Sequence, residues 1–334
     1  MAHGVADTSP GLIAHAPVAR APAGIRYSRR MRIPAPADPN PAAAAEPSVH
    51  DRRCGMLWGL VGVIAFSLTL PATRFAVAYL DPVFVGFGRA VVAAVLAAAV
   101  LLVTRAPRPD RRTFAGLALV ALGVVVGFPL FSAYAMRHVP ASHGAVVVGL
   151  LPLATAVAGA LLAHERPSPR FWGCALFGSA VVVGFALWKG GGALHRADGL
   201  LVAAVVSAAV GYAEGARLAR TLGGWQVISW ALVIAAPIVA VPTWFSLDDR
   251  IAAVPWTAWA AFAYVAPVSM FLGFFAWYKG LALGGIAAVG QLQLLQPFFT
   301  LFASALLLHE TLDAPTFIAA ALVVATIAAG RRRR

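Results

Sequence analysis

From Met56 onward the chain alternates between long apolar runs and short polar breaks. The runs cover 56–73, 82–104, 113–133, 143–163, 170–188, 199–213, 225–245, 256–277, 286–308 and 314–330. Most approach the ~20 residues that a helix needs to cross ~30 Å of hydrocarbon. A transmembrane barrel strand would be about ten residues of alternating polarity, whereas these runs are continuously apolar. The pattern therefore predicts an all-α integral membrane protein with ten transmembrane helices. Gly and Ala recur within the runs, as expected where helix backbones approach closely in lipid. The sixth run, from Gly199, is the shortest because Glu214 interrupts it.

Composition supports the membrane reading. Sixty per cent of the 334 residues are hydrophobic and 12% are charged, and the mean hydropathy is +0.81. A soluble domain carries about twice that share of charge, which it needs to present a wettable surface. Residues 1–52 differ from the rest. They are rich in Ala, Pro and Arg and hold no apolar run long enough for a signal peptide. They read as a disordered cytoplasmic tail, with Met31 as an alternative start.

The formal net charge is +13. The basic residues sit in clusters between the apolar runs and form no stripe interleaved with aromatics, so they do not suggest a nucleic-acid partner. They instead orient the chain. With the tail inside, the inner side carries Arg52, Arg53, Arg105, Arg108, Arg111, Arg112, Arg166, Arg170, Arg217, Arg220, Lys279 and Arg331 to Arg334. The outer loops carry Arg137, Lys189, Arg196 and Arg250. The bias places both termini in the cytoplasm, which an even number of spans permits. The expected location is the inner (cytoplasmic) membrane, as a multi-pass protein.

The chain also repeats itself. Leu151-Pro152 through His164-Glu165 corresponds to Gln296-Pro297 through His309-Glu310, an offset of 145 residues. In both stretches a proline stands before an apolar run that ends in His-Glu. The halves are 53–190 and 196–330, each with five predicted spans. Five is odd, so the halves cross the membrane in opposite directions. Inverted repeats of this kind let a secondary transporter exchange inward- and outward-open states around a midplane site.

Particular stretches carry a further likeness: PATRFAV (71–77), YAMRHVPASHGAVVVGLLPL (134–153), AHERPS (163–168), WYKGLALGGIAAVGQLQLLQP (277–297) and LLHETL (307–312). With these, the chain resembles the EamA family of the drug/metabolite transporter superfamily, in two EamA-type halves over nearly all of 55–330. The resemblance implies a ten-helix inner-membrane carrier, usually an exporter of amino acids, metabolites or drugs. It is distributed along the chain and does not specify a substrate.

Ionisable groups within spans are costly and therefore mark candidate functional positions. Arg89 lies deepest; it either faces a cavity and binds an anionic group or snorkels to the interface. Glu214, at the end of the sixth run, is placed to carry a proton, since a carboxylate in low dielectric has its pKa pushed upward. The alternative is an ion pair with Arg217. Arg74 stands opposite Glu214 under an offset of 140 and is a candidate partner for it, and Lys279 ends the eighth run. Gln293 and Gln296 share a helix face that Gln291 does not, and their amides suit either substrate recognition or interhelical bonding. Tyr134 and His143 are candidates to line the path, with Trp277 and Tyr278. Pro152 and Pro297 each free a backbone carbonyl within a span and are candidate hinges.

Cys54 and Cys174 belong to no metal-ligand pattern, so no metal or other cofactor is expected. Phosphate-loop, GxSxG and HExxH motifs are absent from the sequence, which argues against an enzyme. The expected partners are a small-molecule substrate and the lipid bilayer, with a homodimer left open. Two other classes stay in view: a polytopic enzyme acting on a lipid-linked substrate, and a membrane scaffold that does not transport.

Overall fold

Long apolar runs in a chain with no competing strand pattern fold as helices, because a helix satisfies its own backbone. The computed structural model describes residues 48–189, 196–247, 249–308 and scattered positions between 314 and 329. All lie in the compact unit Glu46–Arg334. Among the described residues there is no strand.

The helices are α1 (Val49–Ala76), α2 (Phe84–Val103), α3 (Arg111–His138), α4 (Ala141–Val148), α5 (Leu151–Leu162), α6 (Pro169–Lys189), α7 (Ala197–Leu222), α8 (Gly224–Phe245), α9 (Trp256–Gly284) and α10 (Ile286–Leu307). Seven of them, α1 to α3 and α7 to α10, are long and apolar enough to cross a membrane. Helices α4 and α5 are each too short to span and follow one another within the predicted fourth run. The tenth run, 314–330, falls largely outside the described residues, as do His309 and Glu310.

Local chemistry sets the helix starts. Ser48 accepts the backbone N–H of Asp51 at the start of α1, and Asp110 accepts that of Thr113 at the start of α3. The side-chain and backbone hydrogen bonds of Thr113 hold the exposed Asp110 carboxyl below its ordinary pKa. Single glycines at positive φ, Gly223 (85°) and Gly285 (86°), connect α7 to α8 and α9 to α10. A side chain at either position would be strained.

Several run lengths read from sequence are corrected, among them these. Helix α1 extends to Ala76, so Arg74 lies in its last turn. Helix α7 continues through Glu214 to Leu222, because Arg217 one turn on pairs with that carboxylate and removes the reason to break there. Helix α9 runs on to Gly284, leaving Lys279 inside it, stacked over the Trp58 ring at 4.1 Å.

Much of the packing recurs in both halves. If α1, α2, α3 and the α4–α5 pair correspond to α7, α8, α9 and α10, the main contacts between the halves have counterparts. Helix α1 packs on α9 and α7 on α3; α5 packs on α7 and α10 on α1; α2 packs on α8. The first two interfaces depend on glycine. Gly55, Gly59 and Gly62 of α1 lie against Gly284, Gly280 and Trp277 of α9, and a Cβ at Gly280 would fall on the Gly59 backbone. Gly123 and Gly127 of α3 lie against Gly211 and Ser207 of α7. Small residues let these backbones touch where no hydrophobic effect drives helices together.

The helices are interrupted at matching places. Helices α3 and α9 contain π-helical stretches at Ala121–Gly127 and Tyr264–Leu272. The break at Gly149 and Leu150 between α4 and α5 matches a 3-10 stretch, Gln291–Leu295, within α10. Pro152 and Pro297 each follow such a break, as expected for residues that lack an N–H to donate.

One carboxylate joins the halves. Glu165, just past α5, accepts the backbone N–H groups of Ile286 and Ala287 at 2.9 Å each, capping the start of α10. Arg220 of α7 donates to the same carboxylate at 3.3 Å. Two measurements test this architecture. Gly280→Val should lower unfolding stability in detergent by about 3 kcal/mol, since the new side chain has backbone against it. Glu165→Gln should cost about 1–2 kcal/mol, since a charge-assisted cap becomes a neutral one. A stable Gly280→Val protein would refute the close approach of α1 and α9.

Candidate functional site

The interrupted helices meet around one central cavity. Phe66, Thr69 and Leu70 of α1, Arg89 of α2, Val124 and Phe128 of α3 and Leu151 of α5 form one part of the wall. Ala208 and Tyr212 of α7, Ser269, Met270 and Phe274 of α9 and Gln296 of α10 complete it. The cavity measures about 20 Å³, room for little more than one water molecule. Anything larger requires the surrounding helices to part.

Arg89 follows directly on a π-helical stretch, Phe84–Gly88, in α2. Such bulges rotate the residues beyond them out of the regular helical register and occur often at functional sites. Arg89 is 1% exposed. Its Nε has no hydrogen-bond partner, and no carboxylate forms an ion pair with it among the described residues. An isolated buried cation of this kind costs several kcal/mol in lost hydration.

The other polar groups of the wall come from opposite halves. Thr69 Oγ1 and Ser269 Oγ share a hydrogen bond of 2.7 Å. Gln296 is 6% exposed and its Oε1 has no partner. Helix α1 is broken at Leu68 beside the cavity, and its carbonyls there are taken up by the second half. Tyr264 donates to the Ala65 carbonyl at 2.7 Å and Thr300 to that of Ser67 at 2.8 Å. An aromatic group closes one side: Phe66, Tyr212, Phe274 and Trp277 stand 4.9–6.5 Å apart, centre to centre.

The residues singled out in the sequence separate into distinct sites. Arg89 and Gln296 come together in the cavity wall. Gln293 turns aside, accepting a long 3.4 Å hydrogen bond from Thr155 of α5, and its Nε2 stays without a partner. The 3-10 winding of Gln291–Leu295 separates the three glutamines in a way that an α-helical wheel does not describe. Tyr134 is 38% exposed and outside the wall. His143 pairs with Asp198 at 2.6 Å, near the starts of α4 and α7. Pro152 and Pro297 adjoin the wall residues Leu151 and Gln296.

Glu214 and Arg74 do not pair. Both oxygens of Glu214 are held by Arg217, at the Gly116 end of α3. Arg74 donates to the Met136 carbonyl at 2.7 Å and that of Arg137 at 3.3 Å, capping the other end of α3. Gly116 and Met136 are twenty residues apart on one helix, or about 30 Å, so the two charges stand at opposite ends of the bundle. Trp277 and Tyr278 are fully buried, with Tyr278 donating to the Gly211 carbonyl at 3.1 Å.

Sequence reasoning missed Thr69, Ser269 and Tyr212. A hydroxyl in an apolar run is a weak signal, because it usually bonds back to its own helix. A second cavity, of about 220 Å³, lies at the Arg74 end and includes Tyr79, Asp81, Phe84, Arg137 and Ser246. No group of three or more His, Cys, Asp or Glu is placed to hold a metal among the described residues.

Comparison with known proteins agrees with the two-half packing. A solved crystal structure superposes with a TM-score of 0.68 at 19% identity, covering 83% of this chain and 97% of its own. That similarity concerns the fold alone. A Bacillus subtilis (strain 168) protein, uncharacterized transporter YdeK, is 48% identical over 278 residues, which is 83% of this chain and 97% of that protein. The EamA-like transporter family profile matches twice, at residues 53–187 and 195–329. With two such repeats, a helical fold and spans of membrane length, this multi-pass membrane protein belongs to the EamA-like transporter family.

Proposed function

We propose that the chain is a secondary active transporter that moves small molecules through the Arg89 cavity by alternating access. The observation that carries this reading is Arg89 itself. A guanidinium without a counter-ion, buried where both repeats meet, contributes nothing evident to stability and costs several kcal/mol. It is accounted for as a group that binds something arriving from solution.

Three further features support the reading. Matching packing in the two halves supports inverted five-helix repeats, and with the 314–330 run it supports ten spans. Breaks in α1, α2, α3, α9 and α10, and the one between α4 and α5, lie around the cavity, where helices can bend as the halves rock. Glu165 fastens the two halves at one end, while the 220 Å³ cavity lies at the other. The charge bias makes the Glu165 end cytoplasmic and the membrane the cytoplasmic membrane, with both termini inside. Export of metabolites, amino acids or drugs is the direction that the family resemblance supports. An enzymatic reading lacks a cluster of nucleophile, acid and base in the cavity wall.

Glu214 carries a coupling proton in this scheme only by releasing Arg217. Transport by Glu214→Gln that matches the unmodified protein, with and without a pH gradient, would give the pair a structural role instead. Arg89 is the decisive position. Cells expressing the protein should be protected against toxic levels of one class of amino acids, their analogues or drugs. Arg89→Ala, at equal membrane abundance, should reduce transport at least thirtyfold, since truncating a buried charged partner costs about 2 kcal/mol or more. A scaffold predicts no protection and tolerance of Arg89→Ala. Reporters fused in the 190–195 linker and after Arg334 should be read on opposite sides of the membrane; the same side would remove the inverted halves.

A further inference from the structure

Among the described residues the cavity wall holds one fixed positive charge and no negative one. Three carboxylates of the bundle are engaged elsewhere: Glu214 with Arg217, Glu165 with Arg220 and the start of α10, Asp198 with His143. None of these carboxylates belongs to the cavity wall. What remains beside Arg89 is aromatic and aliphatic surface, the Thr69–Ser269 hydroxyl pair, the Tyr212 phenol and the Gln296 amide.

This balance decides which charges the site accepts. A carboxylate placed on Arg89 replaces its lost hydration with two parallel N–H···O hydrogen bonds. The Gln296 amide can turn its N–H₂ towards the same anion, since a half-turn about its last torsion exchanges oxygen and nitrogen. An ammonium group in the same space finds neutral acceptors only, loses its own hydration and is repelled by the guanidinium. Phe66, Phe128 and Phe274 suit an apolar body attached to the anion.

We infer that the Arg89 cavity selects a net monoanion, a carboxylate carried on a compact apolar body, and discriminates against zwitterionic amino acids and cations. This rests on the cavity being the transport site. It narrows the substrate from the broad exporter range to organic monocarboxylic acids.

Three ligands with the same phenyl body separate the charges. 3-Phenylpropionate has the carboxylate alone, L-phenylalanine has both charges, and 2-phenylethylamine has the ammonium alone. Binding to the purified full-length protein is read as thermal stabilisation in detergent. Transport is read as counterflow in proteoliposomes. The expected result is binding of 3-phenylpropionate at least tenfold tighter than of L-phenylalanine, about 1.4 kcal/mol, with none of the amine. Arg89→Gln should abolish it, and Arg89→Lys should keep part of it. The comparison of ligands on unmodified protein stands even if Arg89→Gln fails to fold.

Equal or tighter binding of L-phenylalanine that still requires Arg89 would overturn the charge selection and leave the cavity as the transport site. Binding of any of the three that is unchanged in Arg89→Gln would overturn both. Absence of stabilisation by 3-phenylpropionate, benzoate and acetate at millimolar concentration would also overturn the inference.

Discussion

A backbone within a bilayer has no water to bond, so every N–H and C=O that leaves helical register must be met by protein. This constraint explains much of the molecule. Helix α1 can break at Leu68 because Tyr264 and Thr300 bond the Ala65 and Ser67 carbonyls. Helix α10 can begin abruptly after Gly285 because Glu165 accepts its first N–H groups. In each case the group that makes an interruption tolerable comes from the opposite half of the chain. The halves are thus held together where their helices are least regular, and the irregular places surround the cavity.

The same constraint separates two kinds of charge. Arg74, Glu165, Glu214 and Lys279 are each engaged locally. Arg74 bonds the last carbonyls of α3, Glu165 caps α10, Glu214 is held by Arg217, and Lys279 rests on Trp58. Among the described residues Arg89 has no such partner. A π-helical turn before it and apolar walls around it bring an uncompensated cation to the meeting point of the two repeats. In the proposed reading an arriving anion balances that arrangement, which is why the functional and substrate proposals both depend on this one side chain.

In the proposed alternating-access cycle the small cavity and the fastened Glu165 end belong to one state among at least two. Glycine interfaces suit such a molecule. Gly55, Gly59 and Gly280 let α1 and α9 lie backbone to backbone, and Gly123 with Gly211 does the same for α3 and α7. Each interface crosses from one half to the other. Close, flat contacts of this kind allow helices to slide without large side chains having to unlock.

Periodicity alone determined the helical class and the membrane setting, because a bilayer imposes length and apolarity on each span separately, while the matched proline and His-Glu spacing pointed to the two repeats. The deep position of Arg89 was legible for the same reason: a charge within an apolar run is visible without a fold. Tertiary structure decided what local pattern could not carry. It separated Arg74 from Glu214, turned Gln293 away from Gln296, and placed Tyr134 and His143 outside the cavity. It also brought Thr69 to Ser269 across 200 residues. Each of these depends on which helices become neighbours and how irregular turns rotate their faces. Those are relations between distant segments, and no window along the chain contains them.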